Sequence, residues 1–136
     1  MRPKPSLAVV AVAFSLIAVV ARAEDCPAKT TMMDDVIVAL NAVPSCESAM
    51  KVFEACEFGT SGDIQLGAAV EKKCEGDFLA RLKQPRLYRG ELLACDRKYR
   101  NKEGTMYRSF TAFCRAEVAQ RYSRRALKAA GPSRAR

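Results

Sequence analysis

From residue 31 onward the apolar positions recur at helical rather than strand-like spacing, and no alternation is long enough to name a strand. Met33, Val36, Ile37 and Leu40 stand at i, i+3, i+4 and i+7, one face of a first helix. Thr31 is its predicted N-cap, with Asp34 three residues later as a capping-box-like acid, and Pro44 stops it. Ser45 then caps a second helix with Cys46, Ala49, Met50 and Phe53 inward, running out at Gly59. The segment from Gly59 to Asp63 (GTSGD) is the clearest loop, because two glycines supply permissive backbone and Ser61 or Asp63 can cap the next helix.

A third helix carries Ile64, Leu66, Val70 and Cys74 and is interrupted at Glu75, Gly76 and Asp77. Phe78, Leu79 and Leu82 form a short apolar patch off that face. Pro85 suits the first turn of a fourth helix, where Tyr88, Leu92, Cys95 and Tyr99 make a stripe ending before Gly104. Thr105 is the predicted cap of the last helix. On it Tyr107, Phe110, Cys114, Val118 and Tyr122 fall within an arc of about 120 degrees, widened by Met106 and Phe113. These aromatics are expected to form the inner face. The pattern predicts an all-α protein, a small bundle of four to five helices arranged as consecutive helical hairpins.

The first 23 residues stand apart. Arg2 and Lys4 precede an apolar run from Leu7 to Val20, and small residues stand at Ala21 and Ala23, the arrangement of a signal peptide cleaved after Ala23. The apolar run is shorter than the roughly 20 residues of a spanning helix. The expectation is export, to the periplasm or outside the cell, with no transmembrane span left in the mature chain. The expected organisation is a signal peptide over 1–23, a single helical domain over 24–130 and a basic tail over 131–136.

All six cysteines lie beyond that leader, and an even count in a short exported chain points to disulfides. Zinc is disfavoured, since there is no histidine and no Cys-x2-Cys pair. In an antiparallel helix pair, residues equidistant from the turn lie side by side, and a bridge needs Cα atoms within about 4.4–6.8 Å. Cys95 and Cys114 centre on Gly104, Cys46 and Cys74 on Thr60, and Cys26 and Cys56 on Asn41, each at or near a predicted turn. The expected pairs are therefore Cys26 with Cys56, Cys46 with Cys74 and Cys95 with Cys114.

Charge divides the chain. The formal net charge is +8, of which Arg2, Lys4 and Arg22 supply three. Glu24 to Leu79 holds eleven acids and four bases, whereas Ala80 to Arg136 holds four acids and sixteen bases. Either the halves pack on one another, or the basic half docks an anionic partner.

The absence of histidine removes the commonest general acid and base, and no nucleotide-binding or calcium-loop spacing occurs. Asp34 and Asp35 are adjacent, so on a helix they point in different directions, and acids in a first turn are what the helix dipole favours. The expectation is binding without catalysis and without a cofactor. A hydrolase relying on carboxylates alone is the alternative from another class.

Candidate partner-binding residues fall into two sets. Arg81, Lys83, Arg86 and Arg89, then the candidates Arg97, Lys98, Arg100 and Lys102, interleave with Tyr88 and Tyr99, a composition that suits nucleic acid, and Arg121, Arg124, Arg125 and Lys128 extend the basic surface, scattered around the last helix. Export argues against that partner and favours anionic lipid or cell-wall polymer. The second set comes from the segment Met106 to Cys114, MYRSFTAFC. In an exported, cysteine-containing helical chain it resembles the late helix of bacterial lysozyme-inhibitor-like periplasmic proteins, over about residues 92–122. The resemblance implies binding to a protein, with inhibition of a cell-wall hydrolase. A basic lysozyme would be repelled by the basic half, so such a contact would use Asp34, Asp35, Glu54, Glu57 and Asp63.

Overall fold

A computed structural model describes residues 25–132; the expected signal peptide and the last four residues of the tail lie outside the described residues. Five α-helices succeed one another: α1 (Met33–Ala42), α2 (Cys46–Cys56), α3 (Asp63–Glu75), α4 (Pro85–Lys98) and α5 (Thr105–Ala130). A 3-10 turn at Leu79–Arg81 links α3 to α4, and no strand occurs among the described residues. The architecture is the small disulfide-stapled helical bundle that the periodicity predicts. No described helix is long and apolar enough to cross a membrane.

Local chemistry explains where the helices begin. Ser45 and Ser48 each accept the other's backbone N–H at 3.1 Å, a reciprocal capping box at the start of α2. Thr31 does not cap α1, because the helix begins at Met33 with Met32 in the cap position. Instead the Thr30 hydroxyl accepts the Met32 N–H and donates to Asp35. The last turn of α1 has no basic residue of its own, and Lys73 of α3 supplies one, donating to the carbonyls of Asn41 and Val43. Thr105 is likewise the first helical residue and not a cap. Gly104 precedes it with φ of 104°, backbone that favours glycine.

The most extensive helix contact joins α3 to α5, which are not neighbours in the chain. They run parallel, in one register: Asp63 meets Ser109, Glu71 meets Arg115 and Asp77 meets Ser123, at separations of 46, 44 and 46 residues. The line of α5 that is wholly buried is Ser109, Ala112, Ala116, Ala119 and Ser123. Its 3-4-3-4 spacing is that of a helix face, and its small side chains let the two axes approach.

The expected aromatic inner face is therefore corrected. Phe110 is 42% exposed, and Tyr107 and Tyr122 are only partly covered. The aromatics flank the line of small residues and fill the spaces beside it. Phe113 stacks on Phe53 of α2 with ring centroids 4.0 Å apart. Tyr122 joins Phe78 and Tyr88 at centroid distances of 5.4 and 5.0 Å, closing the far end of the core.

Disulfides join Cys26 to Cys56, Cys46 to Cys74 and Cys95 to Cys114, with Cα separations of 4.9, 4.5 and 5.7 Å. These are the pairs expected from mirrored positions. Cys26 lies in irregular chain ahead of α1, so the first bridge ties a loop, not a helix, to the end of α2. Closing loops of 30, 28 and 19 residues, each bridge contributes about 3 kcal/mol through the unfolded chain.

Candidate binding surface

The acids of the N-terminal half are mostly engaged inside the protein. Of the ten between Asp25 and Asp77, six hold a polar side chain or backbone group: Asp35, Glu47, Asp63, Glu71, Glu75 and Asp77. Asp63 is the extreme case, being wholly buried. Its Oδ1 accepts the Phe58 N–H at 2.8 Å, and its Oδ2 accepts the Gly59 N–H at 2.8 Å and the Ser109 hydroxyl at 2.7 Å. It neither caps α3 nor can touch a partner, which corrects both expectations for it. Its task is to hold the loop at Gly59, where φ is 67°, against α5.

The remaining acids of the candidate set do not form one site. Asp34 and Glu54 are exposed on different helices, and Asp35 is occupied by Thr30. Glu57 is exposed beyond α2, where it shares a shallow depression with Lys98, Phe110 and Glu117.

A groove of about 930 Å³ lies between α3 and the turn of the α4–α5 hairpin. Arg115 crosses its floor, donating to Glu71 at 2.8 Å and to both oxygens of Asp96 at 2.9 and 3.0 Å. Burial pushes the Glu71 carboxyl up, opposed by the Arg115 hydrogen bonds. Burial also works against the charge on Arg115, but the two carboxylates outweigh it and hold the guanidinium above its ordinary value. The triad clamps α3, α4 and α5 together, with one guanidinium shared between two carboxylates. Among the described residues no three His, Cys, Asp or Glu side chains come together as a metal site.

The bases behave differently. Between Ala80 and Pro132 there are fourteen Lys and Arg residues, of which Arg115, Arg121 and Arg124 pair with carboxylates. The candidates Arg97, Lys98, Arg100 and Lys102 have no carboxylate partner among the described residues, and all are exposed. They share one end of α4 without converging. Arg100 and Lys102 line the large groove, Lys98 lies 5.2 Å from the Tyr99 ring centroid, and Arg97 lines neither depression.

A second groove, of about 660 Å³, was not foreseen. It lies between the Leu79–Arg81 turn, the start of α4 and the last turns of α5. Phe78, Leu82, Leu87, Tyr122, Ala126, Ala129 and Ala130 line it, with Arg81, Lys83 and Arg125 and, among the described residues, no acid. The sequence signal for it was the apolar patch of Phe78 and Leu82, which belongs to no helix face. No protein-family model, curated protein or solved structure matches the chain.

Proposed function

We propose that the protein is exported and acts by binding an anionic component of the cell envelope, lipid or cell-wall polymer, through the basic surface of its C-terminal half. The observation that supports this reading is the unequal engagement of the two charge sets. Six of ten described acids in the first half hold another polar group, whereas only four of fourteen described bases in the second half do, Arg81, Arg115, Arg121 and Arg124, the other ten having no hydrogen-bond or ion-pair partner among the described residues. The basic half thus presents many exposed cations that no described group engages, the condition for salt-sensitive attraction to an anionic surface. Three disulfides and a bundle stapled at both ends suit an oxidising compartment.

Inhibition of a cell-wall hydrolase through the acidic half is the second reading. It would have to use Asp34, Glu54 and Glu57, since Asp63 is enclosed. Sedimentation with vesicles separates the two. The first reading expects binding to anionic but not zwitterionic vesicles, lost at high salt and weakened by Arg97→Glu with Arg100→Glu and Lys102→Glu. Stoichiometric inhibition of a lysozyme, abolished by reversing Asp34, Glu54 and Glu57, would replace it with the second.

A further inference from the structure

We propose that the groove beside the C-terminal turns of α5 binds one long-chain carboxylate, with the acyl chain on its apolar floor and the head among Arg81, Lys83 and Arg125. This rests on the anionic-partner reading and names a ligand for it.

Two properties of the groove carry the assignment. Its floor is apolar and accessible: Leu87 is 59% exposed beside Leu82 and Tyr122, and Ala126, Ala129 and Ala130 make a shallow trough on α5. From Tyr122 to Ala130 that trough runs roughly 12 Å at the helical rise per residue. A polyanion would use the charges and leave this floor wet, whereas an alkyl chain covers it.

Among the described residues that line the groove, the charge is all of one sign. Neither Arg81, Lys83 nor Arg125 has a carboxylate partner among the described residues. The nearby acids are committed elsewhere, Asp77 to Ser123 and Glu91 to Arg121 and Tyr122. Two of the cations are also held in place. Arg81 Nη2 donates to the Asp77 carbonyl at 2.7 Å, and the Arg125 guanidinium lies 5.4 Å from the Tyr122 ring centroid. Restrained donors lose less freedom when they take up a carboxylate. A neutral alkyl ligand would leave this arrangement without purpose, and an alkyl cation would be repelled by it.

The test is isothermal titration of the oxidised protein with dodecanoate below its micelle concentration, beside methyl dodecanoate and dodecyltrimethylammonium. The expected result is one site, with the ester and the cation at least tenfold weaker. Ala126→Trp, which fills the trough, and separately Lys83→Glu with Arg125→Glu, at exposed positions, should each weaken dodecanoate at least tenfold; Lys51→Glu on α2 should not. Absence of dodecanoate binding, equal binding of the ester, or indifference to both groove variants would overturn the proposal. Retention on anionic vesicles with no dodecanoate binding would overturn the groove assignment and leave the surface reading standing. A site for dodecanoate with no vesicle or polymer binding would support the groove and overturn the surface reading.

Discussion

Gly67 on α3 lies so close to Ala112 on α5 that a Cβ at Gly67 would stand 3.0 Å from the Ala112 Cβ and 3.1 Å from its carbonyl oxygen. The contact lies on the shared register of the two helices, between the Asp63–Ser109 and Glu71–Arg115 pairs. Alanine is the better helix former by about 1 kcal/mol. Here the obstacle includes backbone that cannot rotate aside, and overpacking of this kind costs about 1–3 kcal/mol. Gly67→Ala should therefore lose about 1 kcal/mol net. Gly90, in the middle of α4, has nothing within 4 Å of the same added atom. Gly90→Ala should gain about 0.5–1 kcal/mol. Urea unfolding of the two variants gives opposite signs if α3 and α5 approach this closely; equal stabilisation would refute it.

Asp63 is the polar anchor at the other end of that contact. Asp63→Ala strands the Ser109 hydroxyl in the interior and takes the acceptor from two part-buried backbone N–H groups, at a cost of about 3 kcal/mol. Ser109→Ala removes one donor and should cost about 1 kcal/mol. The double variant should cost less than the sum, because the hydroxyl left unpaired by the first change is absent in the second. Amide exchange at Phe58 and Gly59 should accelerate in Asp63→Ala and remain slow in Ser109→Ala, which distinguishes loss of the loop anchor from general destabilisation.

The helices and the disulfide pairing were legible because both arise from local geometry. Apolar spacing marks a helix, and mirrored distance from a turn brings two cysteines together. The parallel α3–α5 contact was not legible, since its register is set by pairs more than forty residues apart. A wheel weighted by side-chain bulk also misleads where two helices touch most closely. That place selects Ala112, Ala116 and Ala119 and leaves Tyr107 and Phe110 beside it. Thr31 and Thr105 fail as caps because the helices start at Met33 and at Thr105 itself. Arg97, Lys98, Arg100 and Lys102 lie at the surface. The groove formed with Arg81 and Arg125 requires a turn and the end of a distant helix to meet.

Two tyrosines link stability to alkaline pH. Burial, then Glu75, raises the Tyr88 hydroxyl above its ordinary value of 10.0, and burial, then Glu91, raises Tyr122. The unfolded chain releases these protons first, so above pH 10 the native state binds more protons than the unfolded state. The stability they contribute is complete below that pH and declines as pH rises through the folded values. The urea midpoint should accordingly fall between about pH 9 and about pH 11. In Tyr88→Phe with Tyr122→Phe the fall should be smaller; an unchanged fall would assign the alkaline transition to other groups.

Arg115 provides the complementary test on the acid side. Its side chain is 29% exposed and that of Glu71 only 12%, so Arg115→Met leaves the Glu71 charge without its partner in a largely dry setting. Breaking a fully buried pair costs about 3–5 kcal/mol, and partial exposure reduces the expectation to about 2 kcal/mol near neutral pH. Without the guanidinium, burial raises the Glu71 carboxyl unopposed by its main counter-charge. A raised carboxyl contributes stability that is complete below its unfolded value of 4.5 and lost as pH rises through the folded value. Arg115→Met should therefore be closest to wild type in acid and furthest from it at neutral pH. Adding Glu71→Gln should recover part of the neutral-pH loss by removing the stranded charge. A deficit in Arg115→Met that is the same at both pH values, and untouched by Glu71→Gln, would mean that Arg115 acts through its packed methylenes and not through the ion triad.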